Sequence, residues 1–393
     1  MKLSERIGSL FGRKAAMPSR LYEAMVWGSG WEGYSRWDKQ RLIEQAYERN
    51  PAFYAATNLI AQTVASLPIY VEARSSVSGK VQSQDHPMLS LMERDSTRAE
   101  LIQRTVLYYL VTGEAYLQII KQHDGHRPLG LVVVPSQHIN PIYGDYKAPI
   151  QGYRYREYGD VSFTNDEIIY FYQPDLRQYW HGLSAGVPLG ETIDLNNAGI
   201  TWNKNIAVAG GMPPVIAKAQ GITKEEANQL RDSWENQSGA NRSHRLKIIS
   251  ENLTLEKLND KPHDSEWSQA LLQTMRMIFM SLGVSSELMN DAGNKTYSNY
   301  QEARKALYME ACIPLARKLY GTITRSLQTF YTDNPKICLD VDAIEAIQED
   351  RGLAIQRLQQ AVTAGLITPN EARQELGYAT LDDPAADSLQ LKP

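Results

Sequence analysis

The stretch "HGLSAGVP" runs from His181 to Pro188 and contains Gly182-Leu183-Ser184-Ala185-Gly186, a literal G-x-S-x-G. That pattern holds the nucleophile of many hydrolases, but only when the serine sits on a strained turn directly between a strand and a helix, with a histidine and an acid nearby. Here the β-rich run ahead of it ends near Tyr172, and a segment containing Pro174 and Trp180 intervenes. Chain order leaves His244 or His263 as the base. His263 begins a helix and His244 lies in a polar approach to a hairpin, so neither suits that role. Ser184 is expected to shape a turn before a helix opened by Pro188. The alternative is a serine hydrolase using Ser184.

The other candidates for chemistry are weaker. "GNKT" (Gly293 to Thr296) has the ending of a phosphate-binding loop but lacks the earlier glycine and the strand leading in. The histidines His86, His123, His126, His138, His181, His244 and His263 show no paired spacing on a helix, and Cys312 and Cys338 cannot frame a cysteine metal site. No metal and no cofactor are expected. Adjacent acids such as Glu225 and Glu226, or Asp382 and Asp383, read as solvated surface. With 41 basic and 45 acidic side chains the net charge is -4, against charge-driven coating of nucleic acid or anionic membrane. The longest apolar runs fall short of the roughly 20 residues that span a bilayer, so no membrane association is expected. The 22 tyrosines against 6 phenylalanines place many aromatic rings at polar boundaries, as in subunit interfaces.

A chain of 393 residues needs more than one hydrophobic core. Residues 1–35 read as a basic, flexible arm. Residues 36–187 read as an α+β unit: a helix from Ala52 to Ser66 stopped by Pro68, a strand Ile69 to Ala73, a helix in "HPMLSLMERDS", and a helix with the capping box Thr97 and Glu100 closed by Gly113. From Ala115 to Tyr172, "AYLQII", "LGLVVVP", "YRYREY" and "EIIYFY" alternate with turn residues as in a small antiparallel sheet.

From Pro188 to Gly211 a helix carries two apolar stripes, Leu189, Ile193, Ile200 and Ala207 on one side and Leu195, Ala198, Trp202 and Ile206 on another. It needs neighbours on two sides, within one domain or from other subunits. Residues 212–262 follow as strand "PPVIAK", a helix with capping box Thr223 and Glu226, and strands "RLKIIS" and "LTLEKLN". So small a unit leans on others for stability. A helix from Asp264 to Gly283 has the apolar arc Trp267, Leu271, Met275, Ile278 and Leu282, with Glu266, Gln269, Gln273 and Arg276 on the wet face. Ser298 and Gln301 open a long helix in which Pro314 predicts a kink or break. A strand "KICLDVD" and a helical tail follow, the latter with the box Thr368, Pro369, Glu371.

Taken in order, "NLIAQTVASLPIYV", "HPMLSLM", "VLYYLVTGEAYLQII", "LVVVPSQHINP", "HGLSAGVPL", "LGVSSELM", "TYSNYQEARKALY", "IPLARKL" and "TPNEARQELG" resemble the portal proteins of tailed bacteriophages of the Hong Kong ninety-seven type. The resemblance covers residues 50–380. It implies an α+β portal fold: wing (36–187), two stem helices (188–211 and 263–284), an α/β clip (212–262), a channel loop with a long kinked helix and a returning wing strand (285–341), and a helical crown and tail (342–393). It implies a homo-oligomeric ring of about twelve subunits at one capsid vertex, which conducts double-stranded DNA without reading sequence and is not an enzyme.

The implied partners are the large terminase subunit, a head-completion adaptor and the major capsid protein or scaffold. The implied location is the virion, with the host cytoplasm during assembly. On this plan Glu266, Gln269, Gln273 and Arg276 line the channel, and Asn294, Lys295 and Thr296 approach DNA. Asp232, Glu235, Arg242 and Arg245 face docking partners, while Ile193, Ile200, Trp202 and Ile206 meet neighbouring subunits.

Overall fold

The computed structural model describes residues 38–389 without 76–78, 123–126, 145–148, 158, 177–180, 209–214, 220–222, 224, 226–227, 230–252, 258–263, 290–296 and 349–350. Local chemistry sets the helix starts. Asn50 accepts the Phe53 N–H and Pro51 occupies the first turn of the helix Pro51–Ala65. Thr97 and Glu100 form the expected reciprocal box ahead of Arg98–Thr112, which Gly113 closes at φ 78°. The two helices pack against each other and share one large core with Ile278 and Phe279 of the helix Asp264–Ser281 and Leu319 and Ile323 of the helix Ile313–Leu327.

Among the described residues every strand pairing is antiparallel, and the strands form four small sheets. In the first, β1 (Ile69–Ser75) lies between β2 (Gly79–Ser83) and β11 (Lys336–Leu339), so a late strand returns to an early one. The region read as one sheet forms two. β3 (Glu114–Lys121) lies between β4 (Pro128–Val134) and β8 (Ile168–Tyr172), while β6 (Ile150–Tyr155) lies between β5 (Ile139–Tyr143) and β7 (Val161–Phe163). A second, smaller core of Tyr116, Val134, Ile139, Tyr153 and Ile168 joins the two. The fourth sheet pairs β9 (Val215–Ala219) with β10 (Leu253–Lys257). The helix expected from Thr223 and the strand "RLKIIS" fall mostly or wholly outside the described residues.

The two long helices that bracket β9 and β10 differ from expectation in detail. The first runs Gly190–Val208, with Pro188 left in the preceding turn. Burial does not follow the two stripes. Leu189 and Ile193 enter the chain's own core, whereas Leu195, Ile200, Trp202 and Val208 are exposed. The side chains of Ile206 and Ala207 lie outside the described residues. The second helix buries Thr274, Ile278 and Phe279 toward the body and exposes Leu272, Met277 and Met280.

At Pro314 the helix does not break, and a widened turn precedes the proline. Helix Tyr297–Ala306 passes through Leu307–Cys312, where the Ile313 N–H reaches back five residues to the Tyr308 carbonyl, and continues as Ile313–Leu327. The wider turn relieves the clash between a proline ring and the carbonyl four residues back without ending the helix. Because that helix begins at Tyr297, Ser298 falls inside it and does not cap it. The Thr368 box forms as expected ahead of Pro369–Glu375. Among the described residues no helix is long and apolar enough to cross a membrane.

Candidate functional site

The G-x-S-x-G turn lies against the end of the helix Arg98–Thr112, and its glycines are there for close packing. A Cβ on Gly182 would come within 2.1 Å of the Gly113 carbonyl oxygen, and one on Gly113 within 2.5 Å of the Leu183 and Ser184 backbone. A Cβ on Gly186 would strike the Leu42 side chain at 2.7 Å. The Ser184 hydroxyl donates to the Val111 carbonyl (2.5 Å) and accepts the Gly186 N–H (2.9 Å), and the residue is 2% exposed. Its proton is held by a backbone carbonyl and not by a histidine, so the hydroxyl is arranged to shape the turn and not as an activated nucleophile.

The acid beside this turn is Glu114, the first residue of β3, 1% exposed. One carboxylate oxygen accepts the Gly182 N–H (2.7 Å) and lies 3.3 Å from His181 Nδ1. The other accepts the Tyr116 hydroxyl (2.6 Å) and pairs with Lys39 Nζ (2.5 Å). Burial alone would raise the Glu114 pKa. The Lys39 charge and the His181 contact outweigh it and hold the carboxyl well below the ordinary carboxylate range. His181 turns its Nε2 to the Tyr143 hydroxyl. An acid–histidine pair is therefore present beside the serine but is aimed at a tyrosine.

Around the carboxylate, Tyr116 stacks on Tyr170 with centroids 4.8 Å apart and meets Tyr153 edge-on at 5.8 Å. Burial and the Glu114 charge push all three phenols up, so they act as hydrogen-bonding neutral groups. This constellation ties the segment before the first long helix, the β3 strand and the "HGLS" turn into one unit.

A second buried polar network sits where the two long helices leave the body. Asn50 Nδ2 donates to Asn196 and Asn197 (3.0 Å each), Asn196 donates to Thr274 (2.8 Å), and Asn197 donates to the Gln45 carbonyl (3.0 Å). Thr274 in turn donates to the Leu271 carbonyl (2.7 Å). The side chains of Asn50, Asn196, Asn197 and Thr274 are all buried. One N-cap residue thereby fixes the roots of both helices. Sequence reading passed over this network and Glu114. The adjacent asparagines in "DLNNAG", between apolar stripes, were the available signal for the first. Nothing local marks Glu114, whose partners Lys39 and His181 are distant in sequence.

Among the expected site residues, Ile193 is fully buried in the chain's own core and has no surface left for a neighbouring subunit. Ile200 and Trp202 are exposed on the same helix. Gln269 and Gln273 are exposed, whereas Arg276 is half-buried and has an interaction of its own. The Glu266 side chain and Asn294, Lys295, Thr296, Asp232, Glu235, Arg242 and Arg245 lie outside the described residues. No group of three or more potential metal ligands occurs among the described residues.

The profile of the family described as "Phage portal protein" matches residues 51–377. The chain belongs to that family, one of structural connectors and not of enzymes. An uncharacterized protein of Rickettsia bellii (strain RML369-C) is 26% identical over 373 residues, covering 91% of this chain and 93% of its own. Another from Rickettsia felis (strain ATCC VR-1525 / URRWXCal2) is 26% identical over 367 residues, covering 88% and 90%.

The fold is shared with solved structures. A chain in the neck of a native GTA particle with C12 symmetry has a TM-score of 0.64 at 22% identity, covering 92% of this chain and 99% of that one. An HK97 family phage portal protein from Corynebacterium diphtheriae has a TM-score of 0.53 at 13% identity, covering 79% and 98%.

Proposed function

We propose that about twelve copies of this chain close into a ring at the neck of a phage-like particle and form the passage for double-stranded DNA during packaging and ejection. The observation that carries this reading is the apolar surface of the helix Gly190–Val208. Beside and beyond the asparagine network, Leu195, Ile200, Trp202 and Val208 stand exposed, which is costly in water and favourable against a neighbouring copy. The C12 symmetry of a neck particle whose chain shares this fold supports the same stoichiometry.

In this ring the wing (36–187), the stem helices (188–211 and 263–284), the clip (212–262), the channel loop with the long helix and returning strand (285–341) and the crown (342–393) take the portal arrangement. The stem face with Gln269 and Gln273 lines the passage, and the loop of Asn294, Lys295 and Thr296 touches DNA. At that loop one lysine per subunit keeps phosphate contacts few, since each tight contact inside the passage deepens binding through counterion release and would slow sliding. The clip, with Asp232, Glu235, Arg242 and Arg245, docks the large terminase subunit and later a head-completion adaptor, while the wing meets capsid protein or scaffold.

The test is native mass measurement of the purified chain together with negative-stain imaging along the particle axis. Rings of about twelve subunits with a central hole are expected. A monomer at every concentration and salt tried would defeat the reading of a ring that forms by itself.

A further inference from the structure

A groove of about 440 Å³ lies between β8, the edge strand of its sheet, and the helix Ile313–Leu327. Tyr172, Arg317, Lys318, Gly321, Thr322 and Arg325 line it, and no acidic residue does. Arg317, Gly321 and Arg325 stand four residues apart on one helical face, so the two guanidinium roots are separated by about 12 Å along the axis. Gly321 leaves the floor between them open, because a Cβ there would meet nothing within 4 Å.

Among the described residues, the cations in this groove have no counter-charge. Arg317 and Arg325 enter no ion pair or hydrogen bond among the described residues. Lys318 donates only to neutral acceptors, the Tyr109 hydroxyl (2.8 Å) and the Tyr172 carbonyl (2.7 Å), with its ammonium 4.9 Å from the Tyr109 ring centroid. Three donors on that ammonium leave one for a ligand. On a chain of net charge -4, three cations gathered in one acid-free cleft form a positively charged site.

We propose that this groove holds the sugar–phosphate backbone of double-stranded DNA, as a contact separate from the channel loop. Guanidinium forks match phosphate oxygens in pairs, and contacts to phosphate carry no base preference. A folded protein partner fits less well. Such interfaces are anchored by large apolar or aromatic side chains, and no lining residue is among the exposed large apolar residues. The choice of DNA rests on the proposed conduit function, but the groove is tested without it.

The experiment titrates the purified full-length protein against a fluorescent duplex of about 30 base pairs over a series of salt concentrations. R317S/R325S is expected to lower affinity at least tenfold at low salt and to reduce the salt slope by about 2 per bound subunit. R317K/R325K retains most of the binding. Both arginines are exposed, and an unchanged melting curve shows that the fold is intact. Three outcomes overturn the proposal: no duplex binding by the wild type, binding unaltered in R317S/R325S, or a glutamate-rich peptide that binds as tightly as DNA with the same sensitivity to R317S/R325S. Loss of binding in K295A alone would sink the groove and leave the conduit reading standing. The absence of rings with arginine-dependent DNA binding would do the reverse.

Discussion

The surroundings of Glu114 and the distal halves of the two long helices are built on opposite terms. Around Glu114, both carboxylate oxygens, a lysine, a histidine and the stacked tyrosines find partners within the same chain. Beside Asn196 and beyond Asn197, the helix Gly190–Val208 leaves Leu195, Ile200 and Val208 exposed and Trp202 partly so. Covering the remaining apolar surface of each would contribute about 1 kcal/mol. The first region completes itself on folding of a single chain. In the proposed ring, association completes the second. The asparagine network marks the border, because it anchors both helices at their roots and leaves their far ends uncommitted.

Breaking the self-sufficient side should give the largest effects. Lys39→Met strands a buried carboxylate and is expected to destabilise the chain by about 3–5 kcal/mol in urea unfolding. The sign of its pH dependence follows from the lowered Glu114 pKa. The stabilisation is fully present above the ordinary carboxylate value of 4.5 and declines as pH falls from there toward the folded-state value. Glu114→Gln should flatten that acid limb, which unfolding measured from neutral to acidic pH would reveal.

At the border, Asn50→Ala removes a helix cap and leaves Asn196 and Asn197 each without a donor. A loss of about 2 kcal/mol is expected, with faster amide exchange at the roots of both long helices as the sharper readout. Ser184→Ala is milder, about 1–2 kcal/mol from two lost backbone contacts. A hydrolytic activity abolished by that change would revive the nucleophile reading.

The smallest effect on the single chain belongs to the uncommitted side. Leu195→Ser with Ile200→Ser should change unfolding by no more than about 0.5 kcal/mol per site, yet native mass measurement should show rings giving way to smaller species. A large fall in the stability of the monomer would erase the distinction between the two regions.

Much of the fold could be read before the structure because its signals are local. Thr97 with Glu100 and Thr368 with Glu371 cap the helices they were expected to cap, and Gly113 ends its helix in the left-handed conformation it alone adopts freely. Signals that depend on pairing were less legible. "INPIY" hides a strand because Pro141 cannot donate, yet β5 is an edge strand and tolerates it opposite Tyr153. The division into two small sheets is decided by which strands meet, and no single strand records that. Burial along the helix Gly190–Val208 also escaped periodicity. Ile193 and Ile200 share a stripe, but only the first reaches the body. The Glu114 site was illegible for the same reason, since two distant segments, around Lys39 and His181, supply its charged partners.

The widened turn at Leu307–Cys312 sets how the two halves of its helix are phased. Each residue of an α-helix advances the side chains by about 100°, so a turn that absorbs an extra residue resets the phase between Tyr297–Ala306 and the core-anchored Ile313–Leu327. The orientation of Tyr297–Ala306 about the helix axis, relative to the packed half, is therefore set by the backbone winding at Leu307–Cys312.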